Sequence, residues 1–196
     1  MTHSDPTDVA WYDKELARVT VGGARPLAAA IEIHDYDASW PGLYAREEAR
    51  IRAALGDRVV RIEHVGSTSV PGLPAKPIVD IALEVPNSAR EAAYVRDLER
   101  AGYTLRIREP EWFEHRVLTG PDENINLHVF GGGCEEVDRM LLFRDRLRAD
   151  LADRELYAAA KRELAAHDWK YGQQYADAKT SVVLEILVRA EAALSS

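Results

Sequence analysis

The sequence predicts an α/β protein: a mixed β-sheet flanked by helices, with a helical part at its C-terminal end. Three observations carry that expectation. Runs rich in β-branched residues alternate with turn clusters between residues 58 and 130. From about Cys134 onward the apolar residues recur at helical spacing. No Pro/Gly-rich linker divides the two patterns, so they are expected to pack together.

The elements follow in order. Trp11, Leu16 and Val19 suggest a short helix over 6–18, ended by Gly22-Gly23. Residues 30–34 read as a short strand with Ile31 and Ile33 on one face. Ser39 is placed to cap a helix with Pro41 in its first turn, burying Trp40, Leu43, Tyr44, Ile51 and Leu55 before Gly56. Strands are expected over 58–65 and 78–85. In the second, Val79, Ile81, Leu83 and Val85 face one way; Asp80, Ala82 and Glu84 face the other. Ser88 and Glu91 have the spacing of a capping box for a helix that Gly102 closes. Three more strands are expected over 103–108, 112–119 and 124–130; in the last, Asn124, Asn126 and His128 alternate with Ile125, Leu127 and Val129. Three helical stripes complete the chain: Met140, Phe143, Leu147; Leu156, Tyr157, Ala160, Leu164; and Val183, Ile186, Leu187, Ala190, Leu194.

The 196 residues suffice for one domain with a sizeable core, divided into an N-terminal extension (1–29), a sheet core (30–132) and C-terminal helices (133–196). The net charge of −8 disfavours a general nucleic-acid binder. It leaves a nucleotide open, because a local cation-filled pocket reverses the field. Cys134 is the sole cysteine, so no intrachain disulfide forms, and without an activating neighbour it is read as inert. No basic-then-apolar leader opens the sequence, and no apolar run nears the roughly 20 residues that cross a bilayer. A cytoplasmic address without a membrane partner is the simple expectation.

The chemistry concentrates between His64 and Glu84. Gly66 lacks a Cβ and lets a phosphate approach the backbone; Ser67, Thr68 and Ser69 add hydroxyls. The bland alternative is a strand-to-helix turn. A proline-containing loop then leads to Lys76 and to Asp80, a carboxylate within an apolar run. Such a carboxylate costs several kcal/mol to bury unless it is paired or holds a cation, so it either meets an arginine or backbone N–H groups, or binds a divalent ion. Glu84 shares its face but lies about 13 Å along the strand, and is read as a rim or ion-pair residue.

The block His64-Val65-Gly66-Ser67-Thr68-Ser69-Val70-Pro71-Gly72-Leu73, followed by Ala75-Lys76-Pro77-Ile78-Val79-Asp80-Ile81, resembles the GrpB family, whose fold is similar to the nucleotidyltransferase superfamily. Weaker matches are Tyr36-Asp37-Ala38-Ser39-Trp40-Pro41, Asn126-Leu127-His128-Val129, Phe143-Arg144-Asp145-Arg146-Leu147-Arg148 and Ala178-Lys179-Thr180. The resemblance spans about residues 30 to 190. It implies a nucleotidyltransferase-like mixed sheet. It also implies nucleotide or phosphate binding by Gly66, Ser67, Thr68, Ser69, Lys76 and Arg116, catalysis by Asp80 and His128, and a substrate pocket with Asn126 and Lys179. A divalent metal, Mg²⁺ foremost and Mn²⁺ or Zn²⁺ as alternatives, is expected on Asp80, His128 and His64. Ala82 departs from the superfamily pattern, where a second carboxylate stands two residues after the first.

Arg144 and Arg148 are further anion candidates, His115 is expected to point away from Arg116's face, and His128 is equally readable as a structural histidine. Three functions stay open: nucleotidyl transfer from a nucleoside triphosphate to a small acceptor, a non-catalytic nucleotide-binding module, and a metal-dependent hydrolase using His64, Asp80 and His128.

Overall fold

A computed structural model describes residues 5–122 and 124–194. Five strands form one sheet: β1 (Arg61–Val65), β2 (Val79–Val85), β3 (Thr104–Glu109), β4 (His115–Thr119) and β5 (Ile125–Gly131), in the order β1-β2-β5-β4-β3. β2 and β5 are parallel and every other pair is antiparallel. The parallel pair is possible because residues 86–124 make a long excursion that returns through the β3–β4 hairpin.

Among the described residues there are seven α-helices: α1 (Val9–Val19), α2 (Trp40–Leu55), α3 (Val95–Arg100), α4 (Glu135–Ala149), α5 (Leu151–Ala165), α6 (Gly172–Ala178) and α7 (Thr180–Leu194). α2 and α3 cover one sheet face, where Ile51, Leu55 and Leu98 meet Ile81, Leu83 and Leu127 in the largest apolar cluster. Each of these fully buried aliphatic side chains stabilises the fold by about 1.5–3 kcal/mol. The central strands are therefore rigidly placed, and so are the polar residues that alternate with their apolar ones. On the other face α4 packs Val137 and Leu141 against Val65, Ala82 and Phe130. A third cluster joins Val70 and Leu73 of the loop after β1 to Leu147, Tyr157 and Ile186 of α4, α5 and α7. Arg146 and Arg189 both reach the buried Asp153, at 2.6 and 2.7 Å, and tie these three helices together.

Three expectations change. Residues 30–34 make a single bridge, His34 with Ala75, because Ile31 and Ile33 are only half-buried and no longer partner lies beside them. The helix expected from Ser88 begins at Val95: Glu91 is drawn onto Arg108 and Arg116 instead of back to a helix end. Glu84 is not at a rim. It is buried, and its Oε1 accepts the Cys134 N–H at 2.8 Å at the start of α4, where the helix dipole favours an anion.

Candidate active site

Between the Asp80 face of the sheet and helices α1, α4, α5, α6 and α7 lies a cleft of about 680 Å³. Its floor is set by strand alternation. Asp80 opposes Asn126, Ala82 opposes His128, and His128 opposes Val117, so the even-numbered residues of β2 and β5 share a face with the odd-numbered residues of β4. Polar side chains thus cross the floor: Asp80 on β2, Asn126 and His128 on β5, His115 on β4 and Glu109 on β3.

These groups are joined. Asn126 Nδ2 donates to Asp80 Oδ1 at 3.0 Å. His128 Nε2 stands 3.6 Å from the same oxygen. His128 Nδ1 lies 3.1 Å from His115 Nε2, and His115 Nδ1 lies 2.7 Å from Glu109 Oε2. The His115 ring lies nearly parallel to the His128 ring, stacks on Phe130 at 4.6 Å between ring centres, and meets Trp112 edge to face. Burial, against the opposing pull of Glu109, pushes the His115 pKa down to about 4, so that ring is neutral at ordinary pH. Burial alone would raise the Asp80 carboxyl. The His128 imidazole, the Asn126 amide and the Lys76 charge outweigh it and hold Asp80 below the usual carboxylate range.

The opposite wall carries three lysines. Lys76 and Lys179 approach the Tyr175 ring at 5.3 and 4.5 Å. Lys161 lies 4.8 Å from the Tyr157 ring and donates to the Pro74 carbonyl. Burial, reinforced by the Lys179 and Arg162 charges, lowers Lys161 to about 7. Burial lowers Lys179 to about 8 against the pull of Asp80 and Asp177. Lys76 is lowered by burial and by Lys179. Three lysine amines thus share one hollow, where burial and their neighbours' charges oppose protonation.

Gly66 closes β1 at φ +70°, a left-handed conformation, and a Cβ there would collide with Asp80 Oδ2. Only glycine lets the turn sit against the carboxylate. Gly66 and Ser67 face the cleft, as do Lys76, Asp80, Asn126, His128 and Lys179.

Four expected site residues lie elsewhere. His64 opposes Ile81, not Asp80, so alternation sends it to the α2 side. It stacks on Tyr44 at 4.8 Å, bonds Thr68 Oγ1 at 3.0 Å, and burial lowers its pKa to about 4. Arg116 opposes Val129 and bonds Glu91 at 2.7 Å on the far face; His115, expected to point away, is the one in the cleft. The opposite parity of the two residues was legible, but not which of them faced inward. Thr68 is buried and bonded to the Ile78 carbonyl, and Ser69 Oγ bonds Gly66 O, so both hydroxyls hold the loop rather than a ligand. Arg144 and Arg148 bond the His64 and Ser69 carbonyls and serve the same loop.

Lys161, His115 and Glu109 were not singled out as site residues. Lys161 carried a signal: it follows Tyr157 by four residues, a charge set within a buried stripe.

The residues do not fit a tightly held divalent metal. Among the described residues no three His, Cys, Asp or Glu side chains are grouped to hold one. His64 is absent from the cleft, and the second-carboxylate position, Ala82, lies beneath Val137 and Leu141 of α4. Lys76 and Lys179, both felt at Asp80, supply positive charge where such an ion would bring it.

A family model described as "GrpB protein" matches residues 30–189. A UPF0157 protein of Halalkalibacterium halodurans is 60% identical over 92% of both chains. A dephospho-CoA kinase of Mycolicibacterium paratuberculosis is 31% identical over 68% of this chain, which spans 39% of that protein. A crystal structure of conserved protein GrpB from Enterococcus faecalis superposes with a TM-score of 0.71 and 26% identity, covering 84% of this chain and all of that one. Helix α1 and the segment up to residue 29 fall outside the matched family region. With most of its length in that region and a relative of such high identity, the chain belongs to the GrpB family.

Proposed function

We propose that the cleft binds a phosphate ester of nucleotide size and transfers a nucleotidyl group from a nucleoside triphosphate to a hydroxyl acceptor. The observation that carries this reading is the meeting of Lys76, Lys161 and Lys179, from three separate segments, with Asp80 and His128 in one hollow of a chain whose net charge is −8.

In this reading the lysines hold the phosphates and neutralise the charge that grows on the departing pyrophosphate. His128 Nε2 takes the proton of the acceptor hydroxyl. The freed oxygen forms a bond to the α-phosphorus as the bond to pyrophosphate breaks. Asp80 stabilises the imidazolium that results. Gly66 and Ser67 border the phosphate position. No step passes through a metal ion. The dephospho-CoA kinase relative matches over too small a share of its length for its activity to be carried over.

A second reading, nucleotide binding without turnover, is favoured by Ala82, since the superfamily's second carboxylate is missing. One experiment separates the two. Nucleoside triphosphates are added together with a set of small hydroxyl compounds (polyols, sugars and hydroxy amino acids) as acceptors, and inorganic pyrophosphate is added to a separate sample; melting temperature reports binding in both and phosphorus NMR of the first reports pyrophosphate release. Stabilisation with release supports transfer, and stabilisation without release supports the binding module. No stabilisation of the folded protein by any of these anions overturns both.

A further inference from the structure

The floor of the cleft carries two groups, the buried His115 and the half-buried Glu109, that the reaction above does not use. With Glu109 ionised and His115 neutral, donor and acceptor rules fix the direction of each hydrogen bond along Glu109, His115 and His128. Glu109 is acceptor-only when ionised, and against burial the hydrogen bond from His115 helps hold its carboxyl below the usual range. The His115 nitrogen 2.7 Å away, Nδ1, must therefore carry the proton. Neutral His115 then has its lone pair on Nε2, and the 3.1 Å contact with His128 needs a hydrogen between the two nitrogens. That hydrogen sits on His128 Nδ1. The remaining ring nitrogen of His128, Nε2, is left with its lone pair toward the cleft, beside Asp80.

This outcome is not what His128 would adopt by itself. A carboxylate 3.6 Å from Nε2 would draw the ring into the opposite tautomer, with Nε2 protonated and donating to Asp80. An imidazole locked that way has no lone pair for an acceptor hydroxyl. We propose that Glu109 and His115 are positioning residues that polarise His128, fixing its proton on Nδ1 and keeping Nε2 open as the proton acceptor of the cleft. The catalytic value of that open nitrogen rests on the function proposed above. The tautomer itself does not, because it is a property of the ligand-free protein.

The chain also limits the pair to one added proton. When Nε2 receives it, the hydrogen between the rings can shift toward His115 and place the positive charge next to Glu109. A second added proton would put hydrogens on both facing nitrogens and break the contact between the rings.

The test is the tautomer, read from long-range nitrogen–proton correlation spectra of labelled protein above the pH range in which histidines titrate. The parent is expected to show both His115 and His128 protonated on Nδ1. His115→Phe keeps a flat ring beside Phe130 and removes the acceptor; His128 is expected to switch to the Nε2-protonated form. His115→Gln restores a side-chain carbonyl acceptor and is expected to return His128 to Nδ1. A parent spectrum with His128 protonated on Nε2 overturns the proposal, as does a parent-like His128 pattern in folded His115→Phe. If His115→Phe does not fold, the parent and His115→Gln spectra decide the matter. If the tautomers behave as stated while no phosphate ester binds, the positioning stands and the functional reading falls.

Discussion

Replacing Gly66 with alanine probes the contact on which the cleft depends. The φ of +70° with ψ of −176° is a region open essentially only to glycine and costs an alanine about 1–3 kcal/mol. The new Cβ also meets Asp80 Oδ2, with the Asp80 Cβ at 3.0 Å and Cγ at 3.1 Å. Pushing that carboxylate off its rotamer adds about 0.5–1.5 kcal/mol. The total is about 1.5–4.5 kcal/mol, which lowers the melting temperature by roughly 3–18 °C for a chain of this size. Gly72→Ala is the control: its φ is +78° and nothing lies within 4 Å of its Cβ position, so it carries strain alone. Urea denaturation of both variants, of Asp80→Ala and of Gly66→Ala/Asp80→Ala isolates the contact as a coupling of about 0.5–1.5 kcal/mol. If Gly66→Ala is no more destabilising than Gly72→Ala, and the double variant shows no coupling, the turn does not press on Asp80 and the reasoning fails.

Lys179→Met is expected to weaken binding of a nucleoside triphosphate by about 10- to 100-fold, the range of a lost charged hydrogen bond of about 1.5–3 kcal/mol, measured by calorimetry. Binding should take up protons near neutral pH: Lys161 at about 7 and Lys179 at about 8 are partly uncharged when the cleft is empty, and an anion raises both. Affinity therefore rises as pH falls from about 9 to about 7, and calorimetry in buffers of different ionisation enthalpy should give an uptake rather than a release. For stability the same shift acts with the sign of a depressed base. The Lys161 contribution is present above the ordinary lysine range near 10.5 and is lost as pH falls toward about 7, so Lys161→Met should flatten that slope in denaturation midpoints. Phosphate-ester binding should persist in the presence of a chelator, since the lysines carry it; complete loss on chelation would show that an ion is required. Ala82→Asp should cost several kcal/mol in urea denaturation, because the carboxylate would be buried beneath Val137 and Leu141.

The strand alternation of β2 and β5 was readable because its period is two: Val79, Ile81 and Leu83 on one side and Asp80 on the other are facts of the chain. The Gly66-to-Asp80 block likewise announced itself, since a glycine that must admit a neighbouring carboxylate leaves a local trace. The family resemblance gave the fold for the same reason. What alternation cannot state is which face of a given strand looks into the cleft. His64 and Arg116 were therefore expected in the cleft and lie outside it, while His115 was placed outside and lies within. Pairing register decides such questions, and register is set by partners distant in sequence.

The order of the sheet, the meeting of three lysines from the loop before β2, from α5 and from the α6–α7 junction, and the Glu109-to-Asp80 rail belong to the tertiary structure alone. Most join groups tens of residues apart, and even Glu109 and His115 meet only through the pairing of β3 with β4, so no local period records these contacts. The sequence by itself determined the faces of its strands and the stripes of its helices, because those depend on near neighbours. Packing then chose which faces would look at one another, and with that choice brought three lysines together opposite Asp80 in an acidic chain.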